Sequence, residues 1–444
     1  MKINKSYKFR LYPTKDQEQL LLQHVGNSRF IWNKLVEFNT KYKEKYDKFP
    51  NQSILQKKII ELKKEFEFAK LTHSQPLQIN AKRLFQVNLK SVQPQTVQER
   101  KVKISKAKLK PKKYRANALK KAFRYGFPNF KRKSDMNGSL FYPQNFKMKR
   151  SRMFFAKLGW IKYIKHRDVE GIAKTATIVQ DGEQWHVSIC CEVELKVKSK
   201  LSLENANIVG IDVGIKEFAT LSNGEVVHNP KTLKKYKDKL AKEQRKLSRK
   251  EFVDKDIKGE TKKVSSNNRD KQKKKVRKIY RKIKNTRKDF LHKTTHHMIT
   301  KYDGIILETL SIKSMLQKNG KAQNRNTCDV SWYEFSRMLE YKCLWKSKYF
   351  HKIDQYFCST QLCSKCGNKQ EMPQEVRIYS CQACGNTLDR DYNASLNILK
   401  EGVSELKKNT KNTTVGTMGS YACGQEPLGD WSKQEKREMT QAIA

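Results

Sequence analysis

Residues 207–220 read NIVGIDVGIKEFAT, and this stretch carries the most information about the fold. An apolar run ends in Asp212, and Gly214 then lets the chain turn away. The pattern predicts a buried strand that delivers a carboxylate, with two further short strands following within 207–228. Taken alone, Asp212 has a commoner explanation, which is a solvated aspartate at the end of a strand.

Two later acids occupy comparable positions. Glu308 ends the apolar run 304–307, which suits a second buried strand, and Asp391 opens a helical pattern. Asp389, two residues earlier, could cap that helix. A strand Asp, a strand Glu and an Asp at a helix start follow the order of acids in RNase H-like nucleases. The three together predict a site for two Mg²⁺ ions, which need oxygen ligands and support phosphodiester hydrolysis.

Four of the ten cysteines form two Cys-x-x-Cys-Gly knuckles. Two such pairs predict a closed, tetrahedral and structural Zn²⁺ site in a reducing compartment, with these ligands: Cys363, Cys366, Cys381 and Cys384. The remaining cysteines are predicted to be core residues: Cys190, Cys191, Cys328, Cys343, Cys358 and Cys423.

Charge dominates the composition of the 444 residues, because 95 Lys and Arg oppose 44 Asp and Glu, a formal net charge of +51. Such a chain requires a polyanion, for which nucleic acid is the first candidate and an anionic membrane surface the second. A hydrophobic content of 37% is too high for a disordered basic tail. We expect no signal peptide and no membrane span, so any membrane contact would be peripheral. The sequence contains no Walker-type loop, which argues against ATP-driven work.

The N-terminal half divides into helical and β-rich parts. Residues 2–12 read as a strand, and a helical block follows to about residue 100. The basic run 101–114 is either a solvated loop or a phosphate-contacting segment. Residues 126–200 read as a small basic β-domain that contains a hairpin with an Asp-Gly turn. The strand 2–12 can pair with the sheet of this domain.

The C-terminal half carries a long basic element. The pattern of residues 231–300 predicts a helical hairpin whose helices are separated near 265–268. This hairpin is either a coiled-coil-like arm or an arm that faces nucleic acid, and its excess of Lys and Arg favours the second. An amphipathic helix is predicted over 332–350. After about residue 403 the chain reads as a polar, loose tail.

Several of these segments together resemble the TnpB (OrfB-type) proteins of insertion sequences. The resemblance rests on YKFRLYPTKDQEQLLLQHVGNSRFIWN near the N-terminus, then GFPNFKRK, GWIKYIKHR, GIDVGIKEFAT, RKDFLHK, ILETL, SWYEFSRMLEYKCLWK and DRDYNASLNI. It extends from about residue 5 to 402. Type V CRISPR nucleases share the RuvC-like half, but the N-terminal half looks like TnpB.

The resemblance implies an α+β multidomain fold. A wedge β-barrel-like domain would be interrupted by a helical recognition insert, and an RNase H-like (RuvC) α/β nuclease domain would carry an inserted four-Cys zinc-ribbon module. The implied boundaries are wedge 1–14 and 125–203, recognition 15–124, nuclease 204–355 and 387–402, zinc ribbon 356–386, and a flexible tail 403–444. The stretch 101–117 looks like an insertion relative to the family.

The resemblance also implies the activity. It indicates a cytoplasmic, nucleoid-associated and Mg²⁺-dependent endonuclease that cleaves double-stranded DNA, using a guide RNA from the transposon right end and a short target-adjacent motif. The RuvC acids would be Asp212, Glu308 and Asp391, the last chosen because it lies two residues before Asn393. Gln95 and Gln98 are predicted to contact nucleic acid.

Three other functions compete with this one. They are an RNA-guided DNA-binding repressor with little cleavage, a structure-specific resolvase that needs no RNA, and a transposase that joins DNA ends. The presence of all three acids disfavours the repressor, and the large basic N-terminal half is more than a resolvase needs. The sequence shows no separate strand-transfer constellation, although it does not exclude help with transposition.

Overall fold

The computed structural model describes residues 1–132, 138–195, 201–250, 252–255, 261–264, 266–318, 320–373 and 375–412. The chain divides into two compact units. The first is Lys2–Glu194, and the second is Leu195–Ala444 together with Met1. Within the described residues, no helix is both long enough and apolar enough to span a bilayer.

A seven-stranded antiparallel sheet forms the first unit's β part. Its strands are β1 (Lys2–Tyr12), β2 (Ser139–Tyr142), β3 (Phe146–Met148), β4 (Arg152–Phe155), β5 (Gly159–Tyr163), β6 (Ile172–Asp181) and β7 (Gln184–Glu194). They are ordered β2-β6-β7-β1-β5-β4-β3, and the N-terminal strand pairs with both β5 and β7 as predicted. The predicted hairpin at Asp181–Gly182 is confirmed as β6–β7. The sheet is open, because no pairing of the described residues joins β2 to β3.

Helices occupy the segment between β1 and β2. They are α1 (Lys15–Tyr46), α2 (Gln52–Glu65), α3 (Ser74–Val92), α4 (Pro94–Lys108) and α5 (Lys112–Phe123), with a 3-10 turn at Glu67–Leu71. Thr14 caps α1 through a capping box with Gln17. The loop interpretation of 101–114 is wrong, since the segment lies in α4 and α5 apart from 109–111. Lysine is a good helix former, so a basic run stays helical when its charges face solvent.

A five-stranded sheet organises the second unit. The strands of this unit are β8 (Ile208–Val213), β9 (Glu217–Leu221), β10 (Val226–His228), β11 (Phe252–Lys255), β12 (Thr261–Val264), β13 (Gly304–Glu308), β14 (Tyr349–Ile353), β15 (Ile378–Ser380) and β16 (Thr387–Asp389). The main sheet has the order β10-β9-β8-β13-β14. The first three strands form an antiparallel meander, whereas β13 runs parallel to both β8 and β14. All three strands predicted within 207–228 are therefore confirmed.

Helices cover both faces of this sheet. The helices of this unit are α6 (Thr232–Arg249), α7 (Asn267–Lys301), α8 (Ile312–Lys318), α9 (Lys321–Val330), α10 (Trp332–Trp345) and α11 (Arg390–Asn412). Of these, α6 packs against α7. One face buries Val209, Ile211 and Leu307 against α7 and α10. The opposite face buries Ile306 against α11.

Three predictions for this half need correction. The helical arm 231–300 contains a β-hairpin, β11–β12, between its two helices, and Ser266 caps the second helix at the predicted break. The helix predicted over 332–350 ends at Trp345 and gives way to β14. Helix α11 continues ten residues past 402, because Val403 and Leu406 pack against the Ile306 cluster. The rest of the predicted tail, 413–444, lies outside the described residues.

Candidate functional site

Strand register places the first two acids at one edge of the main sheet. Leu307 of β13 lies opposite Ile211 of β8, and Asp212 and Glu308 are the next residues on these parallel strands. Ile211 and Leu307 face the core on the α7–α10 side. Because side chains alternate across a strand, Asp212 and Glu308 face the other side of the sheet, which α11 covers.

Two glycines let α11 lie directly against the sheet and bring the third acid to this edge. A Cβ at Gly210 of β8 would lie 2.6 Å from the backbone nitrogen of Leu399 and closer still to the carbonyl oxygen of Ser395. A Cβ at Gly402 of α11 would collide with the side chain of Ile306. Asp391 lies in the first turn of a helix held this closely, on the side of the sheet that carries Asp212 and Glu308.

The carboxyl group of Asp212 interacts electrostatically with those of Glu308 and Asp391. Burial raises the pKa of Asp212, the carboxylates of Glu308 and Asp391 raise it further, and the guanidinium of Arg390 offsets part of the shift. Burial raises the pKa of Glu308 from 4.5 to about 7. Gathering partly buried negative charge in this way is unfavourable without a cation, so the edge is suited to bind one.

Asp389 and Asp391 have different contacts. The Asp389 carboxylate accepts hydrogen bonds from the backbone N–H groups of Asp391, at 2.9 Å, and Tyr392, at 3.1 Å. Asp389 is therefore the helix cap that the sequence suggested. The Asp391 carboxylate instead lies 3.8 Å from Nη1 of Arg377. Sequence reasoning missed Arg377, because a lone arginine 14 positions away carries no periodic signal.

The four predicted cysteine ligands form one cluster. Sγ of Cys363 lies 3.7 Å from that of Cys384, and Sγ of Cys366 lies 3.6 Å from that of Cys381. Tetrahedral zinc with Zn–S bonds of about 2.3 Å requires S–S separations of about 3.8 Å. Among the described residues, this is the one set of three or more His, Cys, Asp and Glu whose ligand atoms all lie within 4.8 Å of one another. The cluster can therefore bind zinc.

The two knuckles have the same backbone geometry. Gly367 N–H donates to the Cys363 carbonyl at 2.9 Å, and Gly385 N–H donates to the Cys381 carbonyl at 3.0 Å. Both glycines have positive φ, 79° and 65°, which explains the Cys-x-x-Cys-Gly pattern.

The thiols of the cluster differ in pKa, which is lowered for Cys363 and Cys381 and raised for Cys384 by its thiol neighbours Cys366, Cys381 and Cys363 and by burial. Burial raises the pKa of Cys363, but the backbone N–H groups of Cys366 and Lys365 donate to its sulfur and bring the pKa down to about 6. Cys358 lies outside the cluster, as predicted. Of the other cysteines predicted to be core residues, only Cys191 and Cys343 are buried within the described chain; Cys190, Cys328 and Cys358 are partly exposed, and Cys423 lies outside that range.

Gln95 and Gln98 lie on the first turns of α4, and both are exposed. Their spacing of three residues places them on the same helix face. The guanidinium of Arg100 on the same helix makes intramolecular hydrogen bonds, since it donates to the carbonyl oxygens of Tyr125 and Ser91, both at 2.8 Å.

Family models match three parts of the chain. The OrfB_IS605 family, described as "Probable transposase", matches residues 188–319, a Cas12f1-like TNB domain matches 332–398, and an OrfB_IS605 helix-turn-helix domain matches 1–48. The chain is 31% identical to the candidate RNA-guided DNA endonuclease InsQ of Escherichia coli K12 over the whole length of both proteins. The chain belongs to the TnpB family. A second relative, a candidate RNA-guided DNA endonuclease of Streptomyces pristinaespiralis, is 31% identical over 90% of each chain.

Two solved structures show similarity to this TnpB-family chain. A Cas12f1–sgRNA–target DNA complex matches with a TM-score of 0.41 and 14% identity, covering 89% of this chain and 98% of that one. The mini-RNA-guided endonuclease Cas_phi3 matches with a TM-score of 0.43 and 11% identity, over 90% and 92%. In this TnpB-family member, the segment matched as helix-turn-helix is a strand, β1, followed by the single helix α1.

Proposed function

We propose that this protein is an RNA-guided DNA endonuclease of an insertion sequence. It uses a guide RNA from the transposon right end, reads a short target-adjacent motif and cleaves double-stranded DNA in the cell's nucleoid. The observation that carries the proposal is the convergence of Asp212, Glu308 and Asp391 at one sheet edge, in a chain that belongs to the TnpB family. The names of its relatives support the same activity.

The topology of the second unit supports a RuvC-type nuclease domain. An antiparallel three-strand meander is extended by two parallel strands, and the acids stand on its central strands and on the helix packed against them. This topology supports the RNase H-like arrangement that the order of the acids predicts. In the first unit, the β1–β7 sheet with helices inserted after β1 supports the wedge and recognition assignment. The domain boundaries implied by the family resemblance remain predictions.

The three carboxylates fit Mg²⁺, because they are hard oxygen donors and because Glu308 and Asp391 both disfavour ionisation of Asp212 in the absence of a metal. When bound there, two Mg²⁺ ions would supply an activated water and a stabilised leaving oxygen for hydrolysis. Asp212, Glu308 and Asp391 would hold the metal. Arg377, half exposed beside Asp391, is placed to contact the phosphate of bound DNA.

The remaining surface supplies nucleic-acid affinity. A charge of +51 favours a bound RNA, and phosphate neutralisation would provide most of the binding free energy. Base pairing would then select the target, as in other RNA-guided systems. Gln95, Gln98 and the α6–α7 arm are proposed contacts. Zn²⁺ in the four-Cys cluster would be structural, because four protein ligands leave no open position for chemistry.

A repressor that binds DNA under RNA guidance without cleaving is the alternative. It would not require three carboxylates at one edge, and their unfavourable proximity supports the nuclease instead. The other two competitors, the resolvase and the transposase, lack a specific observation in their favour.

The test is cleavage by the protein co-expressed with its transposon right end. The purified complex is expected to cut double-stranded DNA that carries the guide match, in Mg²⁺ and not in EDTA. Asp212→Ala, Glu308→Ala and Asp391→Ala should each abolish cutting while RNA and target DNA remain bound, since alanine offers no oxygen ligand. RNA-free protein that cuts at the full rate, or acid variants that still cut, would overturn the proposal.

A further inference from the structure

Side chains of α11 hold the first zinc knuckle and the loop that precedes it. Asn393 is fully buried; its Oδ1 accepts a hydrogen bond from Ser364 N–H at 2.9 Å, and its Nδ2 donates to the Leu362 carbonyl at 2.7 Å. Leu362 and Ser364 are the neighbours of the ligand Cys363 on either side. One buried side-chain amide is therefore hydrogen-bonded to the backbone on both sides of the predicted zinc ligand Cys363.

The next two turns of the helix repeat this contact. Nδ2 of Asn397 donates to the carbonyl oxygens of Ser359, at 2.8 Å, and Leu362, at 2.7 Å. Nζ of Lys400 donates to the carbonyl oxygen of Ser364. Residues 393, 397 and 400 are spaced by four and three, so they share one face of α11.

These bonds link the metal cluster to the helix that carries Asp391. The buried Asn393 and Asn397 amides are satisfied only if 359–364 keeps its present path. That path includes Cys363, and metal binding supplies the folding free energy of such small modules. Loss of zinc would free the loop, leave both amides without partners, and loosen the first turns of α11.

We propose that Asn393, Asn397 and Lys400 form a latch through which the zinc-bound knuckle positions Asp391. They are positioning residues, since the hydrogen bonds described above run from their side chains to the backbone of residues 359, 362 and 364. Zinc binding then helps to fix the position of Asp391 in the acidic site, in addition to stabilising the fold of the four-Cys module. The role of Asp391 rests on the proposed function, whereas the mechanical link between knuckle and helix does not.

The first measurement is amide hydrogen exchange in the full-length protein with and without zinc. Chelation is expected to increase exchange of amides 391–396 roughly tenfold, the effect of removing the protection that about one buried hydrogen bond provides. Exchange in β8 should change far less. Unchanged exchange at 391–396 after complete zinc removal would overturn the latch.

Variants then test each residue. Asn393→Ala and Asn397→Ala are expected to release zinc to a chelator several-fold faster and to raise exchange at 391–396 while zinc is still bound. Lys400→Ala should do so more weakly, because it removes one bond nearer the surface. Lys408→Ala, an exposed lysine on the same helix, is the matched control and should change neither readout. If Asn393→Ala fails to fold, Lys400→Ala against Lys408→Ala still decides the question.

Cleavage provides the last readout. If the latch positions Asp391, Asn397→Ala should lower the cleavage rate at saturating RNA and DNA without weakening the binding of either. A protein that never cleaves but shows zinc-dependent amide exchange at 391–396 would contradict the proposed function and support the latch. Zinc release and amide exchange at wild-type rates in all three variants would contradict the latch without contradicting the proposed nuclease activity.

Discussion

Asp389 and Asp391 are two residues apart, and their contacts separate a helix cap from a candidate metal ligand. We predict that Asp391→Asn abolishes Mg²⁺-dependent cleavage, whereas Asp389→Asn retains most of it because asparagine caps a helix about as well. Single-turnover cleavage by the purified RNA complex measures both, with RNA binding as the control. A dead Asp389 variant beside an active Asp391 variant would show that the wrong aspartate was assigned.

Arg377 offers a second test at the residue scale. Its guanidinium lies 3.8 Å from the Asp391 carboxylate and is half exposed, where DNA bound at the acids would meet it. Arg377→Ala is expected to slow cleavage by about 100-fold, the lower end of the effect of removing one preorganised hydrogen-bond donor, because the Arg377 side chain is half exposed. Zinc content and RNA affinity should be unchanged. Wild-type cleavage rates in this variant would show that Arg377 is only a surface neighbour.

The pKa of Glu308 predicts how pH and Mg²⁺ act together. Its value of about 7, above the ordinary 4.5, means that the metal-free folded protein holds this proton more tightly than the unfolded chain. The associated stabilisation is present below about pH 4.5 and is lost as the pH rises through about 7. Mg²⁺ binds the ionised carboxylates, so the Tm increase it produces should be larger near pH 8 than near pH 5.5.

The control for this pH effect is the pair of neutral variants Asp212→Asn and Glu308→Gln. Both should lose most of the Mg²⁺-induced Tm increase at every pH, because each removes a titrating ligand. A Tm increase that is independent of pH in the wild type would contradict the assignment of these acids to the metal site.

At the scale of elements, the contact of α11 with β8 decides whether the acids meet. Gly210→Ala places a methyl group 2.6 Å from the Leu399 nitrogen, and the helix must shift to accept it. We expect the free energy of unfolding to fall by about 1–3 kcal/mol, typical of overpacking, and cleavage to slow strongly. Chemical denaturation and cleavage rates measure the two effects.

Gly320→Ala is the matched control in the same unit. A Cβ at Gly320 meets nothing within 4 Å, so stability and cleavage should stay near those of the wild type. Equal behaviour of the two glycine variants would show that the close approach of α11 to β8 is unimportant.

At the scale of the whole molecule, the +51 charge predicts the behaviour of the RNA complex. The protein should purify with bound RNA, and its affinity should fall by about 10³-fold or more between roughly 50 and 200 mM salt. One exposed stripe of α7 contains Lys271, Lys275, Lys278 and Lys282. Replacing all four by alanine should reduce the salt slope by about 0.7 for each phosphate that these lysines neutralise. An unchanged slope would place the RNA elsewhere.

Sequence patterns determined those features that depend on neighbours along the chain. The two Cys-x-x-Cys-Gly knuckles, the apolar strands ending in Asp212 and Glu308, and the hairpin at Asp181–Gly182 follow from local geometry, and all are present. Helix ends were less certain. The basic run 101–114 has no apolar periodicity. Its helical state therefore depends on intrinsic helix propensity, and the sequence alone did not distinguish a helix from a solvated loop.

Tertiary structure alone decided how the acids meet and what supports them. Arg377 beside Asp391, Gly210 beneath Leu399, and the bonds from Asn393 and Asn397 to the zinc loop join residues 14 to 189 positions apart. No periodicity records such pairs, because a close approach depends on how two elements pack and not on either sequence alone. The extension of α11 to Asn412 has the same origin, since Val403 and Leu406 read as tail residues until the Ile306 cluster offers them a surface to bury.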